Sequence, residues 1–220
     1  MNVEVFCGGA VQTNAYLLSH NGIGLAVDAP EGMADWVKDH CHNGGIRLAA
    51  LLLTHGHWDH ILDAAKIQQQ LKTPVWIHRD SAPLLENPAI QEAFNPSCQM
   101  QPCRADRVLD RESRLQLEIF KFELLLCPGH CPGSLCFYFG KEKMLFGGDV
   151  LFAGGVGRWD LPGGSETALM NSIQQKILVL PDDTEVFPGH GSSTTIGDER
   201  RTNPYLLGLV SKSGSAKTQQ

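Results

Sequence analysis

Residues 51–63 read LLLTHGHWDHILD, so an apolar run ends and His55, His57, Asp59 and His60 follow within six positions. Further along, LLLCPG leads into His130, MLFGG into Asp149 and EVFPG into His190. Imidazole and carboxylate together are donors for divalent cations. His55, His57 and His130 could supply three nitrogens to one ion and leave a fourth position for water, the pattern of a catalytic site. Asp59, His60 and His190 could hold a second ion, with Asp149 bridging the pair. Two ions about 3.5–4 Å apart can share one water and lower its pKa from about 15.7 to about 7. Metal-bridged hydroxide would then attack an acyl carbonyl, with Asp59 also orienting it.

These groups need elements that bring them together. Each of the four follows an apolar stretch that reads as a buried strand, three of them through a glycine-containing turn at Gly129, Gly148 or Gly189. Ligands at the carboxyl ends of strands are held by the sheet and left accessible by the loop. Asp59 and His60 are adjacent and face one ion only if a helix starts there, as Ile61, Leu62 and Ala65 support. Strands are expected at 3–7, 15–19, 25–29, 49–54, 74–78, 114–120, 122–127, 134–139, 143–146 and 185–187. Helices are expected at 33–42, 61–71, 165–178 with Ser165 as N-cap, and 199–208. Residues 81–107 read as loop with a short helical turn, and glycine-dense 146–164 as one long shaped loop. Helices interrupting β-rich stretches in each half fit two facing sheets with helices outside.

The bulk numbers narrow the classes. At 220 residues, 42% hydrophobic and 19% charged, the chain has the composition of a globular domain with a large core. Residues 1–210 are expected as one domain and the polar stretch 211–220 as a flexible tail. A net charge of −6 argues against a nucleic-acid or anionic-membrane partner. The apolar runs are too short to span a bilayer, and MNVEVFCGG lacks the pattern of a secretory signal. Seven cysteines without a CxxC pair read as free thiols in a reducing cytoplasm.

THGHWDH, CPGHCPGS, FGGDVLF and FPGHG resemble, in order and over residues 54–191, the four ligand motifs of the metallo-β-lactamase superfamily. The resemblance implies an α/β (α+β) fold, an αββα sandwich of two mixed sheets. It implies His55, His57 and His130 at one metal site, Asp59, His60 and His190 at a second, and Asp149 between them. QTNAYLL, GGVGRWDLPGG and GHGSSTTIGDERRTNPYL are similar to segments of short, bacterial-type glyoxalase II enzymes. That branch implies hydrolysis of a small-molecule thioester, S-2-hydroxyacylglutathione, with two divalent ions, zinc foremost and iron or manganese as alternatives. A monomer or small homo-oligomer is expected, and a chain ending near 220 leaves no room for the helical C-terminal domain of the larger enzymes. The sequence departs from the pattern at Cys131 and Trp159, where threonine is usual, and at DAPEG in place of D-P-G-G.

Chemistry also favours a thioester. An amide needs its leaving amine protonated, whereas a thiolate, with a conjugate-acid pKa of about 8.5, leaves unaided. Arg158, following the glycines after Asp149, is the expected substrate residue, its guanidinium matching a carboxylate; the competing expectation is a loop salt bridge to Asp160. Three rivals stand beside this reading: persulfide dioxygenation at one iron held by His55, His130 and Asp149, hydrolysis of another ester, lactone or phosphodiester, and a metal-stabilised binding module. The complete second set of ligands argues against the first, the acidic composition against a nucleic-acid phosphodiester, and an open coordination position against the last.

Overall fold

The computed structural model describes residues 1–91 and 100–207. The expected tail at 211–220 lies outside the described residues, as do Gly208 and Cys98. The first half runs β1 (Asn2–Gly8), β2 (Thr13–His20), β3 (Ile23–Val27), α1 (Met33–Gly44), β4 (Arg47–Leu52), α2 (Trp58–Ile61), α3 (Ala64–Leu71), β5 (Val75–His78), α4 (Ala82–Glu86), a 3-10 turn (Pro88–Gln91) and β6 (Arg107–Leu109). The second half runs β7 (Arg114–Leu117), β8 (Phe120–Leu126), β9 (Leu135–Phe139), β10 (Met144–Gly148), β11 (Leu151–Phe152), β12 (Gly155–Val156), α5 (Glu166–Ser172) with a π-turn (Ile173–Ile177), β13 (Glu185–Pro188), β14 (Thr194–Thr195) and α6 (Ile196–Thr202).

β1 to β6 form one sheet in chain order, antiparallel at its first two pairings and parallel at the last three. The second sheet has the order β14-β13-β10-β9-β8-β7, with β10 and β13 parallel. Strand alternation dictates the layering. In the run through β4, Ala50 and Leu52 face Phe137, Phe139, Phe146 and Phe187 of the opposite sheet. Leu51 and Leu53 face the other way, onto Met33, Val37 and Ile67 of α1 and α3. On the far side Leu145 and Val186 pack against Leu169, Ile173 and Ile177 of α5 and its π-turn. The result is the expected αββα sandwich. Among the described residues, no helix is long and apolar enough to cross a membrane. The six described cysteines are free thiols, all but Cys7 buried.

Four local expectations are corrected. The helix expected over 61–71 is two helices, because Asp63 leaves the helical path and its Oδ2 accepts from the backbone N–H of Gly32 and Ala34. That carboxylate caps α1, whose own N-cap, Gly32, offers no side chain. The stretch 81–107 holds α4 and the 3-10 turn and ends where β6 begins at Arg107, an edge strand too short to show a period. The loop 146–164 contains the β11–β12 hairpin. The last helix starts at Ile196, capped by Thr195, whose Oγ1 accepts from Asp198 N. It ends at Thr202 because Asn203, extended at ψ 117, precedes Pro204.

Candidate metal centre

The carboxyl ends of β4, β8, β10 and β13 converge at one edge of the sandwich, and the seven residues singled out in the sequence come together there. His55 follows β4, and α2 begins at Trp58 so that Asp59 and His60 lie in its first turn. The ring atoms His55 Nε2 and His57 Nδ1 lie 3.3 and 2.8 Å from His130 Nε2. A tetrahedral cation at about 2.0–2.1 Å from each nitrogen sets a ligand–ligand edge of about 3.3 Å. On the other side, His60 Nε2 lies 3.3 Å from Asp59 Oδ2 and from Asp149 Oδ1, and His190 Nε2 lies 3.3 Å from Asp59 Oδ2. Asp149 stands between the two groups: its Oδ2 is 3.6 Å from His130 Nε2 and 3.5 Å from His190 Nε2. Three overlapping triplets, His55–His57–His130, His55–His60–Asp149 and Asp59–His60–His190, keep their ligand atoms within 4.8 Å of one another.

Hydrogen bonds on the far side of each ring decide which nitrogen faces the centre. His60 Nδ1 donates to Asp28 Oδ2 at 2.8 Å, His130 Nδ1 to the Arg158 carbonyl at 2.8 Å, and His190 Nδ1 to the Val11 carbonyl at 3.2 Å. His55 Nδ1 pairs with Thr54 Oγ1 at 3.0 Å. Asp28 also accepts from Thr54 N and Thr54 Oγ1, so one buried carboxylate ties His60 and, through Thr54, His55. Thr13 Oγ1 donates to Asp59 Oδ2 at 2.7 Å. Sequence reasoning missed Asp28, Thr13 and Thr54 as participants. The signal for Asp28 was present: GLAVD is another apolar strand ending in a carboxylate, and Asp28 holds φ 61, rare for a non-glycine.

Charge divides the cluster. Burial, then the neighbouring imidazoles, hold His55 well below the ordinary imidazole range and His57 at about 4, and burial lowers His130. Burial opposes the charge on His60 and His190 too, but carboxylates win: Asp59, Asp149 and Asp28 raise His60, and hydrogen bonds to Asp149 and Asp59 raise His190 to about 10. Burial likewise works against ionised Asp59, yet His60 and His190 hold it at about 2, and they hold Asp149 low as well. Within the cluster two buried atoms have no hydrogen-bond partner, His60 Nε2 and Asp149 Oδ1, and they face each other at 3.3 Å. A buried unpartnered polar atom costs about 1–3 kcal/mol. A cation between them satisfies both lone pairs, so the donor set fits divalent metal.

Backbone packing is equally specific at Gly189. A β-carbon there would stand 2.1 Å from Asp149 Oδ1 and 2.7 Å from His60 Cε1. The turn carrying His190 is pinned by Asn14 and Tyr16 of β2, which donate to the Pro188 carbonyl, and by Asn14 Nδ2 donating to the Gly191 carbonyl. Opposite, the Gln91 side chain accepts from Trp58 N and donates to the Gly56 carbonyl, bracketing His57. A cavity of about 450 Å³ opens beside the cluster. Its walls include Trp58, Leu84, Ile90, Leu161 and Pro162, and Arg158 lines it as well. Arg158 makes a two-pronged ion pair with Asp160, Nε to Oδ1 at 2.7 Å and Nη2 to Oδ2 at 2.9 Å.

An αββα sandwich carrying an Asp/His cluster at its strand ends defines a class of metal-dependent hydrolases. The profile of the Metallo-beta-lactamase superfamily matches residues 8–190, and the chain belongs to that superfamily. It is 36% identical to "Hydroxyacylglutathione hydrolase GloC" of Haemophilus influenzae, over 94% of this chain and 98% of that one. It is 34% identical to "Probable metallo-hydrolase YqgX" of Bacillus subtilis, over 91% and 95%. Among solved structures, BLEG-1 B3 metallo-beta-lactamase superposes with a TM-score of 0.88 at 38% identity, covering 93% of this chain and 99% of that one. TTHA1623 in a di-iron-bound form superposes with a TM-score of 0.82 at 34% identity, covering 92% and 100%.

Proposed function

We propose that this chain hydrolyses thioesters of the S-2-hydroxyacylglutathione type with two divalent metal ions. His55, His57 and His130 would hold one ion, Asp59, His60 and His190 the other, and Asp149 would join them. Zinc is the metal proposed; iron and manganese suit the same donors. The observation that carries the reading is Asp149 Oδ2, placed 3.6 Å from a nitrogen of one group and 3.5 Å from a nitrogen of the other. A one-ion reading on His55, His130 and Asp149 leaves Asp59, His60 and His190 converged without a role.

Bound there, two divalent cations supply an acidified water and a Lewis acid for the acyl oxygen. The protein does the rest. Asp59, steadied by Thr13, orients the attacking water at the cavity floor. The buried rings of His55, His60 and His130 close the inner side of the centre to bulk solvent. Outside the cluster, the described lining residues are apolar except Gln91, whose amide is already bonded on both sides, and Arg158, which cannot give up a proton. A cavity without a spare general acid suits a thiolate leaving group and disfavours an amide. The name borne by the 36% identical relative points to the same bond.

The test is a panel of S-D-lactoylglutathione, a lactone, a β-lactam and glutathione persulfide on metal-analysed protein. Thioester hydrolysis should dominate, and His57→Ala should lower it by about 100-fold or more while the fold survives. Near-normal turnover in that variant, with metal content confirmed, would refute the assignment.

A further inference from the structure

The loop that carries Arg158 is fixed to the metal centre. Gly157 N donates to the Val150 carbonyl, the Arg158 carbonyl accepts from His130 Nδ1, and a β-carbon at Gly157 would collide with the Asp149 carbonyl. Arg158 therefore starts its side chain at a set point on the cavity rim. It is the one charged side chain among the described lining residues outside the Asp/His cluster. Its Nε–Nη2 face is nevertheless taken, because both carboxylate oxygens of Asp160 sit on it. The Nη1 end stays open, so an incoming carboxylate meets a cation whose charge Asp160 already offsets at bonding distance. Both partners are about two-thirds exposed, at 62% and 65%. An exposed pair of this kind holds its partner by no more than a few-fold, so it exchanges readily.

Resting on the thioester reading above, we propose that Asp160 is a specificity residue that sets affinity for anionic thiol carriers. A substrate carboxylate must share Arg158 with the Asp160 carboxylate, against its like charge, or displace it, while the apolar wall of Leu84, Ile90 and Leu161 receives the uncharged part of the molecule. Asp160 thus penalises negatively charged substrates and leaves neutral ones indifferent. A mere loop brace would act in the opposite direction: losing Asp160 would loosen Arg158 and weaken every ligand.

The experiment is titration calorimetry on metal-loaded wild type, Asp160→Asn, Arg158→Gln and the double variant. The probes are S-hexylglutathione, a thioether with two carboxylates that cannot be hydrolysed, and the neutral S-hexyl-N-acetylcysteamine. Asp160→Asn should tighten S-hexylglutathione about three- to fivefold relative to the neutral probe. Arg158→Gln should weaken S-hexylglutathione and abolish the gain from Asp160→Asn. The proposal is overturned if Asp160→Asn weakens or does not change S-hexylglutathione binding relative to the neutral probe. It is equally overturned if the gain survives in the Arg158→Gln background, or if none of the four proteins binds S-hexylglutathione. Because the probes do not turn over, failure of thioester hydrolysis and failure of this proposal are read separately.

Discussion

Substituting Gly189 by alanine isolates the geometry of the centre from the stability of the fold. Gly189 does not sit in the left-handed region, so its backbone accepts a side chain. The obstacle is purely spatial: the new β-carbon would stand 2.1 Å from Asp149 Oδ1, where real contacts stay beyond 3.0 Å. Asp149 or the turn must therefore yield by about 1 Å, a displacement that can lower turnover by about 100-fold, or about 2.7 kcal/mol of transition-state stabilisation. The turn cannot retreat freely, because Gly189 N donates to the Gly148 carbonyl and Asn14 N to the Gly189 carbonyl. Asp149 moves, and the residue proposed to join the two ions loses its reach to one group of ligands. Metal per chain by elemental analysis and kcat/KM for S-D-lactoylglutathione are the readouts. Gly191→Ala is the control: Gly191 has φ 75 and nothing within 4 Å of a β-carbon, so it should lose about 1 kcal/mol of stability yet keep its metal. A Gly189→Ala protein with full metal and a rate within threefold of wild type would refute the reasoning.

Asp28→Asn should weaken metal binding by about 10- to 100-fold in a chelator competition, since it removes the carboxylate that orients His60 and Thr54. Unchanged affinity would show that those rings orient themselves. Gln91→Ala should cost about 1–3 kcal/mol in chemical denaturation, because Trp58 N and the Gly56 carbonyl lose their partner beside His57. A change below about 0.5 kcal/mol would mean water replaces the amide without loss.

Much of the architecture was legible because burial and period agree. The run AALLL must be a central strand, and the polar group directly after such a run stands out, as His55, His130, Asp149 and His190 do. What remained hidden was held by contacts between distant parts of the chain. Asn14 and Tyr16 grip the Pro188 carbonyl across more than 170 residues. Asp63 reads as part of the first turn of a helix over 61–71, yet its carboxylate caps a different one. Gln91 sat in a stretch without period, yet its amide clamps the loop on either side of His57. The Arg158–Asp160 pairing was visible in the sequence as one of two alternatives; only the atoms show both prongs closed.

The paired-cation account is tested most directly by counting metal and activity together. Freshly purified protein should carry about two divalent ions per chain. Chelation should abolish thioester hydrolysis, and restoring two equivalents of metal should return it in proportion to occupancy. Protein stripped below a tenth of an ion per chain that still hydrolyses S-D-lactoylglutathione at its original rate would contradict the account.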